Sequence, residues 1–210
     1  MNHRFEQDRQ LLSKCISGDR EATENLVRRF SDLVYRCVQY TLMARQIAFN
    51  RHDLEDLHAT IFLRLFEKGC KKLRQYQGKN GCSLASWIRM IAVRIVLDHL
   101  RKKGLDAMVW QKGRISLEKM GELAAENSEP GAQIERAEQE HLLQRGMEKL
   151  LPRDRLFMKL HFEQGLSIAE VADTMRLSPG NAYAIKHRAI RRLKSHVASA
   201  SEGQLRRGSV

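Results

Sequence analysis

Between Thr174 and Ser201 the chain carries Arg176, Lys186, Arg188, Arg191, Arg192 and Lys194, and no acid. Guanidinium and ammonium groups in such a row bind phosphate, and Arg, Asn and His side chains can read base edges. Two further stretches are basic. From Arg64 to Lys79 six bases stand against Glu67 alone, and from Cys82 to Lys103 five bases stand against Asp98. Between Ile115 and Glu140 the sign reverses, with seven Glu against Lys119 and Arg136. The total formal charge of +12 favours a polyanionic partner. By itself it does not choose between nucleic acid and an anionic membrane.

Covalent chemistry finds no support in the sequence. There is no Gly-rich phosphate loop, no His-Glu-x-x-His and no Ser nucleophile elbow. His99 follows Asp98, but neighbours on a helix diverge by about 100° and make no dyad. His161 and His187 read as packed or surface residues, not as metal ligands. Cys15, Cys37, Cys70 and Cys82 form no Cys-x-x-Cys pair and read as reduced thiols that pack. No enzyme activity, cofactor or metal is expected. No apolar run approaches the ~18 residues of a membrane span. Residues 1–8 lack the apolar stretch of a secretory signal, so a cytoplasmic location is expected.

Helices must position these charges. Only three prolines occur in 210 residues, and few prolines favour helix interiors. Leu26, Phe30, Leu33, Val34, Cys37 and Val38 define one helical face within residues 20–44. Asp53-Leu54-Glu55-Asp56 reads as a helix start, with Asp53 capping free amides. Leu54, Leu57, Ile61 and Leu65 mark its stripe, and Lys68-Gly69 its end. Residues 70–82 read as a basic, Gly-containing loop with one aromatic, Tyr76. Ser83 then caps a long helix through Lys103, apolar around much of its circumference and so central. Glu126-Asn127-Ser128-Glu129-Pro130-Gly131 has linker composition. Pro152 and Pro179 suit helical first turns, where the missing amide hydrogen is tolerated.

The end of the chain has the layout of a helix-turn-helix. Ser167-Ile168-Ala169-Glu170 fits a capping box for a short helix to Thr174. A break follows, then a longer basic helix from Ser178-Pro179 to about Val197. Ala182, Ile185, Ala189 and Leu193 share its inward face. Asn181, Ala184, His187, Arg188 and Arg191 point outward, flanked by Lys186, Arg192 and Lys194. One residue dissents: Arg176 occupies a turn position that Gly would enter most easily.

Residues 53–66, 87–102, 151–155 and 166–193 together resemble a bacterial RNA polymerase sigma factor of the sigma-70 family, in its two-domain extracytoplasmic-function (ECF) group. The resemblance implies an all-α protein with two helical domains joined by a flexible acidic linker. Their expected extents are 1–105 (region 2-like), 106–135 (linker), 136–198 (region 4-like) and 199–210 (flexible tail). It implies that Asp53, Glu55 and Asp56 dock on the clamp helices of the largest polymerase subunit, with the flap region as a further contact. Lys71, Lys72, Arg74, Tyr76, Lys79, Arg94, Asp98, Arg101 and Lys102 would melt and hold the minus-ten element. Asn181, Ala184, Lys186, His187, Arg188, Arg191 and Arg192 would bind the minus-thirty-five element. The acidic linker would thread toward the polymerase active site. An anti-sigma protein is a further implied partner, as many relatives are so held.

A melted strand needs a basic track, aromatic platforms and a pocket for an unstacked base. Tyr76 is such a platform or a loop residue packed on the core. Trp87 reads as core in preference to platform. Arg94, Asp98 and Arg101 share a helix face, which meets DNA or forms a solvated ion-pair row. The chain also departs from the family pattern. His58-Ala59 replaces Gln-Glu, Arg94 replaces Asn, and Tyr183-Ala184-Ile185 replaces Lys-Ser-Arg, so promoter preference cannot be copied from a typical member. Two rivals remain: a freestanding helix-turn-helix regulator, and a DNA-binding subunit of a nuclease or recombinase.

Overall fold

The computed structural model describes residues 3–78, 81–104 and 140–205, and among these it is all helix with no strand. The N-terminal half contains α1 (His3–Ile16), α2 (Arg20–Ala44), α3 (Arg51–Arg74) and α4 (Leu84–Lys102). The C-terminal half contains α5 (140–148), α6 (Pro152–Met158), α7 (Ile168–Met175) and α8 (Pro179–Leu205). A π-helical turn, Lys159–Glu163, continues α6.

α2 is the spine of the first half. Asp19 caps it by accepting from the Ala22 amide at 3.0 Å. Its buried stripe of Leu26, Phe30, Val34, Cys37 and Thr41 follows the 3.6-residue period. That stripe packs on α1, α3 and α4. α4 starts at the expected cap, with Ser83 Oγ accepting from the Ser86 amide at 3.1 Å. Leu84, Ile88, Ala92 and Val96 are each fully buried. Met90, Val93 and Leu97 are buried as well, so α4 is enclosed on more than one side. Truncating a residue such as Ile88 to Ala should cost about 2–5 kcal/mol in lost contacts and residual cavity.

Several sequence expectations need correction. α1 was not foreseen, because its apolar positions are few. Asp53 is not the N-cap of α3. Asn50 is, accepting from the Asp53 amide at 2.9 Å, while Asp53 occupies the third helical position and accepts from the Asn50 amide at 2.9 Å. The stop at Lys68-Gly69 is present as a kink, since Lys68, Gly69 and Cys70 all have positive φ (53°, 63° and 59°). A short helical turn then resumes through Arg74, where an unbroken loop was expected. α8 runs past Val197 to Leu205, so the first part of the expected flexible tail is helical. The expected linker at 106–135 lies outside the described residues.

In the second half, Ser167 and Glu170 form the expected capping box of α7: Ser167 Oγ accepts from the Glu170 amide at 3.2 Å, and Glu170 accepts from the Ser167 amide at 2.8 Å. Pro152 and Pro179 each occupy the first position of a helix. The core residues Leu156, Phe157, Leu166, Val171 and Ile185 are almost wholly buried. Two polar arrangements join them. Arg155, only 4% exposed, donates to the carbonyls of Met147 (2.8 Å), Glu148 and Leu150 (3.1 Å). A cation thereby satisfies the open carbonyls that end α5. Asp154 has no exposed surface at all. Arg188 grips it with two bonds of 2.9 and 2.7 Å, and Arg192 approaches to 3.7 Å. The two halves touch, with α7 lying on α4 and α6 on α2.

Candidate nucleic-acid interface

The outward side of α8 is a shallow groove of about 670 Å³ lined by Ala184, His187, Arg188, Ile190, Arg191 and Lys194. The inward side is anchored by Ala182, Ile185, Ala189 and Leu193, all buried. The helical period thus separates a core face from a basic face, as the sequence suggested. Of the expected residues, Ala184, His187, Arg188 and Arg191 gather at this groove, and Asn181 is exposed nearer the start of the helix. Lys186 does not line this groove, and its ammonium stands 5.7 Å from the centre of the Phe162 ring. Arg188 has a second role that the sequence did not signal: its bond to Asp154 holds the guanidinium still more firmly in the charged form. Arg191 is exposed and faces the groove.

The residues expected at the minus-ten element divide between two places. Lys72, Asp98, Arg101 and Lys102 line a groove of about 460 Å³ between α3 and α4, beside Arg64 and Glu67 and with Arg176 from the end of α7. Its walls are predominantly cationic, a shape and charge suited to a phosphodiester track. Tyr76 sits elsewhere, in a cavity of about 510 Å³ with Cys82, Trp87, Met90 and Glu170. Its hydroxyl donates to the Cys82 carbonyl at 3.0 Å, and its ring lies 6.3 Å from that of Trp87. The bond ties Tyr76 to Cys82, which favours the packed reading of Tyr76. Trp87 is half-buried, and its indole Nε1 has no hydrogen-bond partner. Lys71 and Arg74 are exposed, with Arg74 donating to the Gly69 carbonyl at 2.8 Å. Lys79 lies outside the described residues.

Arg94 and Asp98 do not face open solvent together as an isolated row. Arg94 donates to the Asp173 carboxylate at 2.6 Å, and Arg176 donates to Asp98 at 3.2 Å. Asp98 also accepts from Arg101. Both cross-domain pairs join α4 to the end of α7. Neither Asp173 nor Arg176 was a candidate site residue, since no local pattern links them to α4.

The acidic cluster is exposed at the start of α3. Asp53 spends its carboxylate on the capping box. Glu55 accepts from Arg51 at 2.7 Å and Asp56 stands 3.6 Å from His52, leaving the two acids 53% and 69% exposed. A separate apolar groove of about 680 Å³ lies between α5, α6, the π-turn and α8, lined by Leu143, Met147, Met158, Phe162 and Leu193. Its rim carries two exposed apolar side chains, Phe162 at 56% and Leu143 at 51%.

The cysteines are free, three of them buried. Burial pushes the Cys37 thiol up to about 11, and burial together with the nearby Glu170 does the same for Cys82. Thiols so protonated are poor nucleophiles and poor metal ligands. Among the described residues no group of His, Cys, Asp or Glu is placed to hold a metal, and no helix is long and apolar enough to cross a membrane.

Comparison with known proteins supplies the context. The chain is 28% identical over 192 residues to "ECF RNA polymerase sigma factor SigE" of Mycolicibacterium smegmatis, covering 88% of this chain and 66% of that protein. It is 27% identical over 193 residues to "ECF RNA polymerase sigma factor BldN" of Streptomyces coelicolor, covering 88% of this chain and 63% of that one. It therefore spans a little under two thirds of the length of these relatives. Among solved structures it is similar to CnrH in complex with the cytosolic domain of CnrY, at 18% identity and a TM-score of 0.49, covering 91% of this chain and 97% of that chain. It is also similar to a chain of the RsbN-BldN complex, at 22% identity and a TM-score of 0.32, covering 88% and 97% respectively. The family models for sigma-70 region 2 and sigma-70 region 4 match residues 26–105 and 146–195. They enclose α4 with its basic groove and α8 with its outward basic face, and the chain belongs to the sigma-70 family, with the ECF layout of region 2 followed by region 4.

Proposed function

We propose that this chain binds core RNA polymerase and directs promoter-specific initiation, by recognising a minus-thirty-five element through α8 and helping to melt a minus-ten element along α3 and α4. The observation that carries the reading is the pairing, in one chain and in family order, of an exposed basic recognition helix with a separate cationic groove. One face suits duplex DNA and the other suits a single strand. Strand opening draws on binding energy, so the chain acts by binding and not by catalysis.

Within this reading the exposed carboxylates of Glu55 and Asp56 dock on the clamp helices, and the apolar groove around Phe162 takes the flap region. Tyr76 and Trp87 border the cavity that would accept an unstacked base. The acidic linker threads toward the polymerase active site, and the protein works in the cytoplasm. An anti-sigma protein remains a candidate partner, in keeping with the known members of the family.

Run-off transcription with core polymerase over a promoter library tests the proposal. Promoter-dependent transcripts above the level of core alone are expected. Confirmed assembly with core but no such transcripts would sink it. Tight binding to a palindromic duplex without polymerase would instead favour a freestanding regulator. In parallel, Glu55→Lys with Asp56→Lys should weaken polymerase binding and leave minus-thirty-five DNA binding unchanged. Equal polymerase affinity would remove the clamp assignment.

A further inference from the structure

α1 stands before the stretch that the region 2 model matches, which begins at residue 26. It nevertheless meets the basic segment after the α3 kink at two points. At the end of α1, the Cys70 thiol of the kink donates to the Cys15 carbonyl at 3.8 Å. In its first turns, Phe5 lies against Gly78. A Cβ at Gly78 would stand only 2.9 Å from Phe5 Cε1, and 3.5 Å from the Tyr76 hydroxyl. Gly78 also has a left-handed backbone (φ 61°). It is therefore glycine for two reasons, the turn and the ring that the turn admits. Residues 5 and 15 are about 15 Å apart along the helix, at 1.5 Å per residue.

Between these points α1 is held by an ion pair. Asp8 is only 3% exposed, and Arg29 of α2 meets its carboxylate at 2.7 Å. A buried carboxylate is costly without its partner, so the pair fixes the rotation of α1 and aims Phe5 at Gly78. Leu12 and Cys15 bury the same side of the helix. Burial, and after it the charge of Asp8, push the Tyr76 phenol above its ordinary value of 10, which places Asp8 near that ring as well.

We propose that α1 is a strut for the strand-reading segment, and that Phe5 is a positioning residue for minus-ten recognition. The inference rests on reading the cavity beside Tyr76 as the site of an unstacked base. Tyr76, Gly78 and Trp87 all line that cavity. A pocket that tells bases apart by shape must hold its walls still, and a wall that shifts by about an ångström accepts several bases. Tyr76 has its own bond to the Cys82 carbonyl. Phe5 supplies the support from outside the segment. Its loss therefore lowers discrimination between bases and leaves the basic track in place.

The test uses the full chain. Phe5 is half-buried, so Phe5→Ala frees Gly78 while Leu12 and the Asp8–Arg29 pair stay in place. The amides of Gln75 and Tyr76 donate to the Lys72 and Leu73 carbonyls. Hydrogen exchange read by mass spectrometry should show them exchanging about three- to tenfold faster, with α4 unchanged. Phe5→Leu should recover most of the protection. With core polymerase, run-off transcription over promoters varied at the minus-ten element should show preference between bases reduced about three- to tenfold. Preference at the minus-thirty-five element and affinity for core should stay constant, a split that general unfolding would not produce. Gly78→Ala should harm the wild type more than it harms Phe5→Ala, because the collision needs the ring.

Unchanged exchange overturns the strut, whatever transcription shows. Faster exchange with the same minus-ten ranking overturns the positioning role. Equal harm from Gly78→Ala in both backgrounds removes the Phe5 contact as its cause. A wild-type holoenzyme indifferent to the minus-ten sequence would remove the sigma reading and the DNA role with it, and the exchange rates would still decide the strut.

Discussion

α4 and α8 are both basic helices with a buried face, and they dispose of their charge differently. α4 gives Arg94 and Asp98 to a different domain, in pairs that solvent reaches. α8 gives Arg188 and Arg192 to its own domain, where they meet the wholly buried Asp154. An exposed pair is worth little and can exchange partners. A buried carboxylate left alone is costly, so its partners are fixed. The lesson is that a basic residue on a DNA-facing helix is not free for DNA by virtue of its charge. What decides is whether its partner is replaceable.

The largest expected effect follows from the α8 side. Arg188→Ala strands Asp154 inside the core and should destabilise the C-terminal domain by about 3 kcal/mol. Chemical denaturation of the full chain, followed by a probe in that domain, measures it. A loss under about 0.5 kcal/mol would mean that Arg192 takes over the carboxylate, and the contrast with α4 would weaken. Arg191→Ala tests the other half of the comparison. Arg191 is exposed at the groove, so stability should hold while duplex affinity drops by about 1–2 kcal/mol, with a salt slope lower by about one. Titrating binding at several salt concentrations reads both. Unaltered slope and affinity would place Arg191 off the DNA.

Smaller effects sharpen the roles of the acids. Asp53→Ala breaks the α3 capping box and should cost about 1 kcal/mol of N-terminal stability. Asp56→Ala should cost almost nothing, since its partner is an exposed His52. Thermal midpoints of the two variants separate structural from contact roles within one cluster. The smallest effect concerns Glu170. Burial raises its carboxyl, but hydrogen bonds from Ser167 outweigh this and hold it below the usual value of 4.5. A carboxyl depressed in the folded state stabilises above its unfolded pKa and loses that contribution as pH falls through the lower folded value. From about pH 5 to about pH 3 the wild type should lose more melting temperature than Glu170→Gln. Equal losses would show that the capping box does not depend on the carboxylate.

Much of the fold was legible because its determinants are local. Ser83, Ser167, Pro152 and Pro179 lie at helix starts, and the apolar stripes of α2, α4 and α8 face the core. Asp53 was misplaced by three residues because Asn50 and Asp53 cap reciprocally, and either residue alone satisfies the pattern. α1 was missed because it borrows its stability from packing on α2 and α3. The candidate sites were legible as charge but not as pairing. Tyr76 and Lys72 are near in sequence yet line separate cavities, since the helix that carries Lys72 ends at Arg74, between them.

The sequence by itself determined that this protein is helical, where several of its helices begin, which of their faces are basic and which family it resembles. The helices, their starts and their faces follow from periodicity, caps and composition, which act over a few residues, whereas the family rests on the resemblance of whole stretches. The tertiary structure alone decided which charges remain available. Asp154 finds Arg188 across 34 residues, and Asp98 and Arg94 find Arg176 and Asp173 across 78 and 79. No local rule encodes such partners. They are chosen when apolar faces pack and carry their polar edges into contact.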